Sequence, residues 1–391
     1  MNRVGIHATL TPHQYQRSHR LGIATRPVRL NRKIPSLDGL RAFSIALVIL
    51  SHLSGTVNAP KIFSSLYIRG CGKLGVFVFF VISGYLITTL LMQEREKTGT
   101  ISLSNFYVRR ALRILPAAYV FTTIMVVLFW KEIPGIEIAG AYLYFQNFVH
   151  NGWRLTHLWS LSIEEQFYLV WPAICCAGFI RSRKVAAWTI ALSPFVRVAC
   201  YALGFTDVGR YSFTVADTLA TGCLLAMSIP ELKRYDRWLL KPITGVIFTV
   251  LILVIQGGFA SRFPWARKFY ESIGVTFMQL AIAGLIYNCV NMKYRLLNWK
   301  PVAAIGVLSY SLYLWQEVFL DHTSNAWYTA FPQNLVLAFL AALASYFLVE
   351  QPMLKLRSRL SGRAESSRLN AVELPSLGNS QPVVTGVQER S

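Results

Sequence analysis

The chain has 391 residues, of which 54% are hydrophobic and only 15% charged. That is far more apolar than a water-facing surface of ordinary proportions requires, so a soluble globular protein is excluded and an integral membrane protein expected. The formal net charge of +21 would suit nucleic acid, but the Lys and Arg lie between apolar runs and in the two tails, so that partner is excluded and the charge reads as topology.

Residues 1–33 are basic and polar without an apolar core. No cleavable signal peptide is visible there, and the first apolar helix is expected to remain as an anchor. A span needs about 20 apolar residues. Ten stretches approach that length, near 36–54, 73–92, 111–130, 157–179, 185–203, 213–229, 240–258, 272–291, 301–320 and 333–350. The connections between them alternate in charge. Over two thirds of the 39 Lys and Arg fall on the side that also holds both tails, the cytoplasmic side by the positive-inside bias. The expectation is an all-α bundle of about ten transmembrane helices with both termini cytoplasmic. It comprises a basic tail at 1–33, a membrane domain at 34–353 and a disordered tail at 354–391.

The first stretch, IPSLDGLRAFSIALVILSHLSG, carries Arg41 near its start and His52 near its end. Eleven residues are about three helical turns and roughly 16 Å, nearly in line, so one helix face presents a guanidinium and an imidazole at different depths. Ionisable groups inside a membrane usually face a bundle interior or a watery cavity. Snorkelling to the two interfaces is the alternative.

Ser83, Gly84 and Tyr85 interrupt the otherwise apolar second stretch, as either a helix packing contact or a kink beside a substrate path. The third opens NFYVRRALRILP. Arg110 and Arg113 are three apart and share a face, suited to gripping phosphates, although positive-inside anchoring explains them equally well. The fourth, HLWSLSIEEQFYLVWP, holds Glu164 and Glu165 on different faces. One can serve an imidazole such as His52 while the other pairs with Arg154 or Arg41, or the two can close a structural ion pair. Arg197, Asp217 and Glu317 lie in later spans, where each can simply satisfy another, and Glu350 suits a packing or capping role. The six cysteines show no CxxC pair, so neither a disulfide framework nor a bound metal is expected.

Taken in order, SLDGLRAFSIALVILSH, FFVISGYL, FYVRRALRILP, LWSLSIEEQFYLVWP, SYSLYLW and the terminal VEQP resemble the membrane-bound acyltransferase-3 family. The resemblance runs from about Ile34 to Met353. It implies a ten-helix enzyme of the bacterial inner membrane that moves an acyl group, commonly acetyl, from cytoplasmic acyl-CoA to a hydroxyl of a cell-envelope glycan or glycolipid. The acyl-CoA is a co-substrate rather than a resident cofactor. Carried over, His52 matches the family's essential histidine and Arg41 its paired arginine. Arg110 and Arg113 match its RxxR motif, and Ser83, Gly84 and Tyr85 its Ser-Gly-Tyr-type motif. Glu164 and Glu165 join His52 and Arg41 in the expected catalytic set, with Arg110, Arg113, Ser83, Gly84 and Tyr85 on the donor.

Two departures stand out. Many relatives place a His after SYSLYLW where this chain has Gln316, so no proton-transfer role is assigned there. Some relatives also carry a hydrolase-like C-terminal domain that is not legible here, so the acceptor is expected to meet the membrane domain itself or a partner. No activated Ser or Cys occupies a nucleophile motif, which favours direct transfer. A transporter or flippase is the rival reading, although no inverted repeat is visible. A membrane glycosyltransferase would need acidic residues in the 131–156 loop, which offers only Glu132 and Glu137.

Overall fold

A computed structural model of the chain describes residues 34–149, 152–259, 261 and 263–357. The expected basic tail at 1–33 lies outside the described residues, as does the expected 354–391 tail from 358 onward, while its first residues, 354–357, are helical rather than disordered. Each of the ten apolar stretches falls on a helix: α1 Pro35–Leu53, α2 Leu66–Thr98, α3 Leu103–Leu128, α4 Leu158–Cys176, α5 Phe179–Ala202, α6 Ser212–Met227, α7 Pro242–Gly257, α8 Val275–Met292, α9 Lys300–Phe319 and α10 Gln333–Ser345. Local chemistry sets several ends. The Ser65 hydroxyl accepts from the Ile68 amide at the start of α2. Gly99 closes that helix in the left-handed conformation that an L side chain resists. Proline opens α7 and α9, where its missing amide hydrogen is not needed.

Among the described residues, seven helices are long and apolar enough to cross a membrane, or eight if α6 and the segment Ile229–Leu239, bent by 64°, form one span. The two stretches outside the set of eight have evident reasons. Helix α4 carries Glu164 and Glu165 in its interior, and α7 has only 16 residues. Several helices outrun their expected limits, among them α3, which starts at Leu103, and α5, which starts at Phe179. Helix α2 extends on both sides of 73–92, from Leu66 to Thr98, and α10 continues through a π-helical turn, Tyr346–Glu350, to Arg357.

Close helix approach rests on small residues. A Cβ on Gly84 would stand 2.1 Å from the Leu219 carbonyl oxygen, and one on Gly222 would stand 2.1 Å from that of Val81. Helices α2 and α6 thus meet backbone to backbone through a reciprocal glycine pair, the packing that substitutes for a hydrophobic driving force between helices in lipid. Gly306 of α9 lies as tightly against the Asp38 carbonyl at the start of α1.

One buried polar cluster ties three helices together. Arg197 of α5 donates to the Ser272 and Thr214 carbonyls at 2.7 and 2.6 Å, to Asp217 of α6 at 3.0 Å, and to the Thr276 hydroxyl of α8. Gln279 also donates to Asp217, at 3.3 Å. The Ser272 carbonyl sits in a π-helical turn, Tyr270–Gly274, just before α8. The expectation that Arg197 and Asp217 satisfy each other therefore holds. Glu317 is absent from this cluster and has other partners.

The α2/α6 contact carries a direct test. Because the obstructing atom is backbone, Gly84→Leu and Gly222→Leu can be relieved only by moving a helix, and each should cost at least about 1–3 kcal/mol of stability. Gly135→Ala, which faces open space, should leave the thermal midpoint of detergent-purified protein unchanged while the other two lower it.

Candidate functional site

Helix α1 sets the axis of the site, with a polar assembly at each end. Near its C-terminus, His52 presents its ring to two consecutive residues of α9. Nδ1 lies 2.8 Å from Gln316 Oε1, and Nε2 lies 3.6 Å from Glu317 Oε1. A ring nitrogen facing an amide oxygen carries the hydrogen, so this contact selects the tautomer whose Nε2 keeps its lone pair. The other Glu317 oxygen is 2.8 Å from His157 Nδ1. Trp153 donates its indole N–H to the Glu317 carbonyl at 3.1 Å and packs its ring against His52, centroids 5.7 Å apart. His52 is 25% exposed and Glu317 only 4%, so the imidazole is reachable and the carboxylate is not.

At the other end a cavity of about 100 Å³ is lined by Arg41, Ser83, Arg110, Arg113, Glu164, Tyr168 and Tyr310 and extends to Ser160 and Tyr313. Ser83 donates to Glu164 at 2.6 Å. The Arg110 guanidinium covers the Tyr168 ring, 4.7 Å from its centroid, and Arg41 lies 3.4 Å from Asp38. Three guanidiniums against one carboxylate in the wall make a cationic chamber. Its volume is below the roughly 300–1,000 Å³ of pockets that enclose a drug-sized ligand, so it suits a thin arm rather than a whole nucleotide. At the inner end the Ser160 and Tyr313 hydroxyls are 2.6 Å apart, and Tyr313 donates to the His157 carbonyl at 2.8 Å. Through these bonds the cavity wall is linked to His157, the partner of Glu317.

The anticipated residues divide between the two ends. Arg41, Ser83, Arg110, Arg113 and Glu164 come together in the cavity, whereas Gly84 and Tyr85 do not reach it. Gly84 is turned to Leu219 and Tyr85 is buried at the same α6 contact, since one residue along a helix rotates the side chain by 100°. Glu164 and Glu165 diverge, as their adjacency requires. Glu165 faces Tyr119 and Tyr144, with one oxygen buried and unpaired. Neither glutamate serves His52, because that carboxylate comes from α9. Arg154 pairs with Glu132 at 3.0 Å and Asp321 at 3.4 Å, on a different level from the Glu164 pair.

Three residues escape the sequence reading. Nothing in the sequence gives Gln316 a role or Glu317 more than a packing one, yet the side chains of both converge on His52. Arg357 lies past the expected domain limit, yet the longer α10 brings it among Arg109, Arg110 and Arg113. The connection 131–156 offers no catalytic acid. Glu132 is held by Arg154, and Glu137 is buried, its carboxyl pushed above the ordinary range by desolvation with Arg210 opposing. No cluster able to hold a metal occurs among the described residues.

A multi-pass helical membrane protein with a cationic cavity and an oriented imidazole on one helix is the class that this fold and site define. More narrowly, the chain belongs to the acyltransferase-3 family, whose acyltransferase-domain model matches residues 34–350. It is 31% identical over 369 residues to the peptidoglycan O-acetyltransferase OatA of Listeria monocytogenes, covering 83% of this chain and 55% of that protein. It is 29% identical over 368 residues to the putative peptidoglycan O-acetyltransferase YrhL of Bacillus subtilis, with the same coverages. The O-acetyltransferase OatA of Staphylococcus aureus is 30% identical over 367 residues, covering 83% of this chain and 58% of that protein. The chain spans about half the length of these curated relatives. No solved structure matches it.

Charge balance in the cavity is testable without any assay of turnover. Glu164→Gln removes the carboxylate among the guanidiniums and should lower the thermal midpoint by the equivalent of about 1–3 kcal/mol. Added sulfate or pyrophosphate should then raise the variant's midpoint more than that of the unsubstituted protein. Equal responses would show that Glu164 does not neutralise the arginines.

Proposed function

We propose that this chain is a membrane O-acyltransferase that takes an acyl group, acetyl in the first instance, from acyl-CoA and delivers it to a hydroxyl of a cell-envelope glycan or glycolipid, with His52 as general base. The reading includes ten spans in a bacterial inner membrane, with both termini and the arginine end of α1 on the cytoplasmic side. It rests on family membership, on the charge bias of the connections and, above all, on one observation: His52 and the arginine cavity occupy opposite ends of the same helix.

Acyl transfer from a thioester needs a base, a grip on the donor and exclusion of water. Arg110 and Arg113, with Arg41 below them, suit the phosphates of the coenzyme because guanidinium forks bind phosphate oxygens through charge-assisted hydrogen bonds. The nucleotide stays at the mouth and the pantetheine arm runs along α1. The acceptor oxygen bonds to the acyl carbon as its proton passes to His52 Nε2, the nitrogen that the Gln316 contact leaves free. The carbon–sulfur bond then breaks, and the proton ends on the departing sulfur as the free thiol. Arg41 and Glu164 act here as positioning and charge-balancing residues, and Glu165 has no assigned step.

Two experiments test this. Mass spectrometry of envelope glycans and secreted glycolipids should show a mass increment of one acyl group with the intact gene and none in a deletion strain, and His52→Ala should lower it about 10²–10⁴-fold. An increment retained in His52→Ala would refute the base, and no acylated species in any strain would favour transport of a solute. With purified protein, Arg113→Gln should raise KM for acyl-CoA well above its effect on kcat, and added salt should do the same to the unsubstituted enzyme by screening the phosphate contacts.

A further inference from the structure

Building on that reading, we propose that Glu317 is the charge partner of His52 in catalysis and that His157 is the residue that positions it. Three features carry this. First, the 3.6 Å between His52 Nε2 and Glu317 Oε1 is too long for a hydrogen bond yet within ion-pair range. With the hydrogen on Nδ1 toward Gln316, the ground-state contact is weak. Once Nε2 takes the acceptor's proton, an imidazolium stands beside a carboxylate that is 4% exposed. The attraction is therefore realised mainly as the charge develops, which is the kind of interaction that raises kcat rather than affinity.

Second, the carboxylate is held from behind. His157 is 1% exposed, its Nδ1 lies 2.8 Å from Glu317 Oε2, its ring abuts Phe121 at 5.3 Å and its carbonyl accepts from Tyr313. Third, both ring nitrogens of His157 and Glu317 Oε2 are buried without a hydrogen bond of good geometry, so the 2.8 Å approach holds the carboxylate from behind by contact and charge and leaves Oε1 turned to His52. The titratable groups that face Glu317 are His52, His157 and Tyr313. Glu317 takes no proton itself: the proton travels from the acceptor oxygen to His52 and on to the coenzyme sulfur.

The test is Glu317→Gln, nearly isosteric, assayed with purified enzyme and acetyl-CoA, with CoA-induced thermal stabilisation as the check on folding. The expected result is a fall in kcat of about 100-fold with KM for acetyl-CoA unchanged. Glu317→Asp, which keeps the charge, should recover part of the loss. In a His52→Ala background the same substitution should have no further effect, since the two groups act as one unit. Unsubstituted kcat in Glu317→Gln, or an equal loss with and without His52, would overturn the inference. Full transfer by His52→Ala would overturn the underlying reading and this inference with it.

Discussion

Hydrocarbon does not solvate charge, and each ionised or strongly polar side chain inside this bundle must find its partner on another helix or carry a penalty of several kcal/mol. That constraint decides which helices are tied together. Arg197 and Asp217 join α5 and α6 and, through Thr276, α8. Ser83 and Glu164 join α2 and α4. Gln316 and Glu317 join α9 to α1 and to the residue that opens α4, while Ser311 bonds Glu350 between α9 and α10. The glycine contacts then bring backbones close enough for these short links to be made.

Seen against that rule, the two ends of α1 differ from the rest of the bundle. At one end three guanidiniums and a single carboxylate line one small cavity, a wall that suits an anionic ligand. At the other an imidazole has a hydrogen-bond acceptor on one nitrogen and a carboxylate held just out of reach of the second. Eleven residues of straight helix fix the separation of the two ends. In the proposed reaction the flexible arm of the donor, rather than a moving protein domain, bridges that length.

Much of this was legible in the sequence, and the limits have physical causes. Ten apolar stretches fell on ten helices because length and hydropathy are local properties. The Arg41–His52 alignment was readable for the same reason, since the helical repeat fixes it. Contacts between helices were not. Glu317 could be assigned to Arg197 or Asp217 as easily as to a histidine, because a heptad says nothing about which neighbour it meets. Ser83, Gly84 and Tyr85 formed one motif in sequence, yet 100° per residue separates them into a cavity wall and a packing face. Arg357 lies beyond the apparent end of the last span at 350, where the π-helical turn carries the helix seven residues further.

The central claim is that donor and acceptor meet α1 from opposite ends. The most direct measurement uses the protein reconstituted in sealed vesicles, sorted for one orientation, with radiolabelled acetyl-CoA supplied only on the side of Arg110 and Arg113 and a glycan acceptor trapped on the side of His52. The account predicts labelled acceptor in the lumen, dependent on His52, with no labelled coenzyme crossing. Label on the acceptor only when both substrates share one side would contradict it.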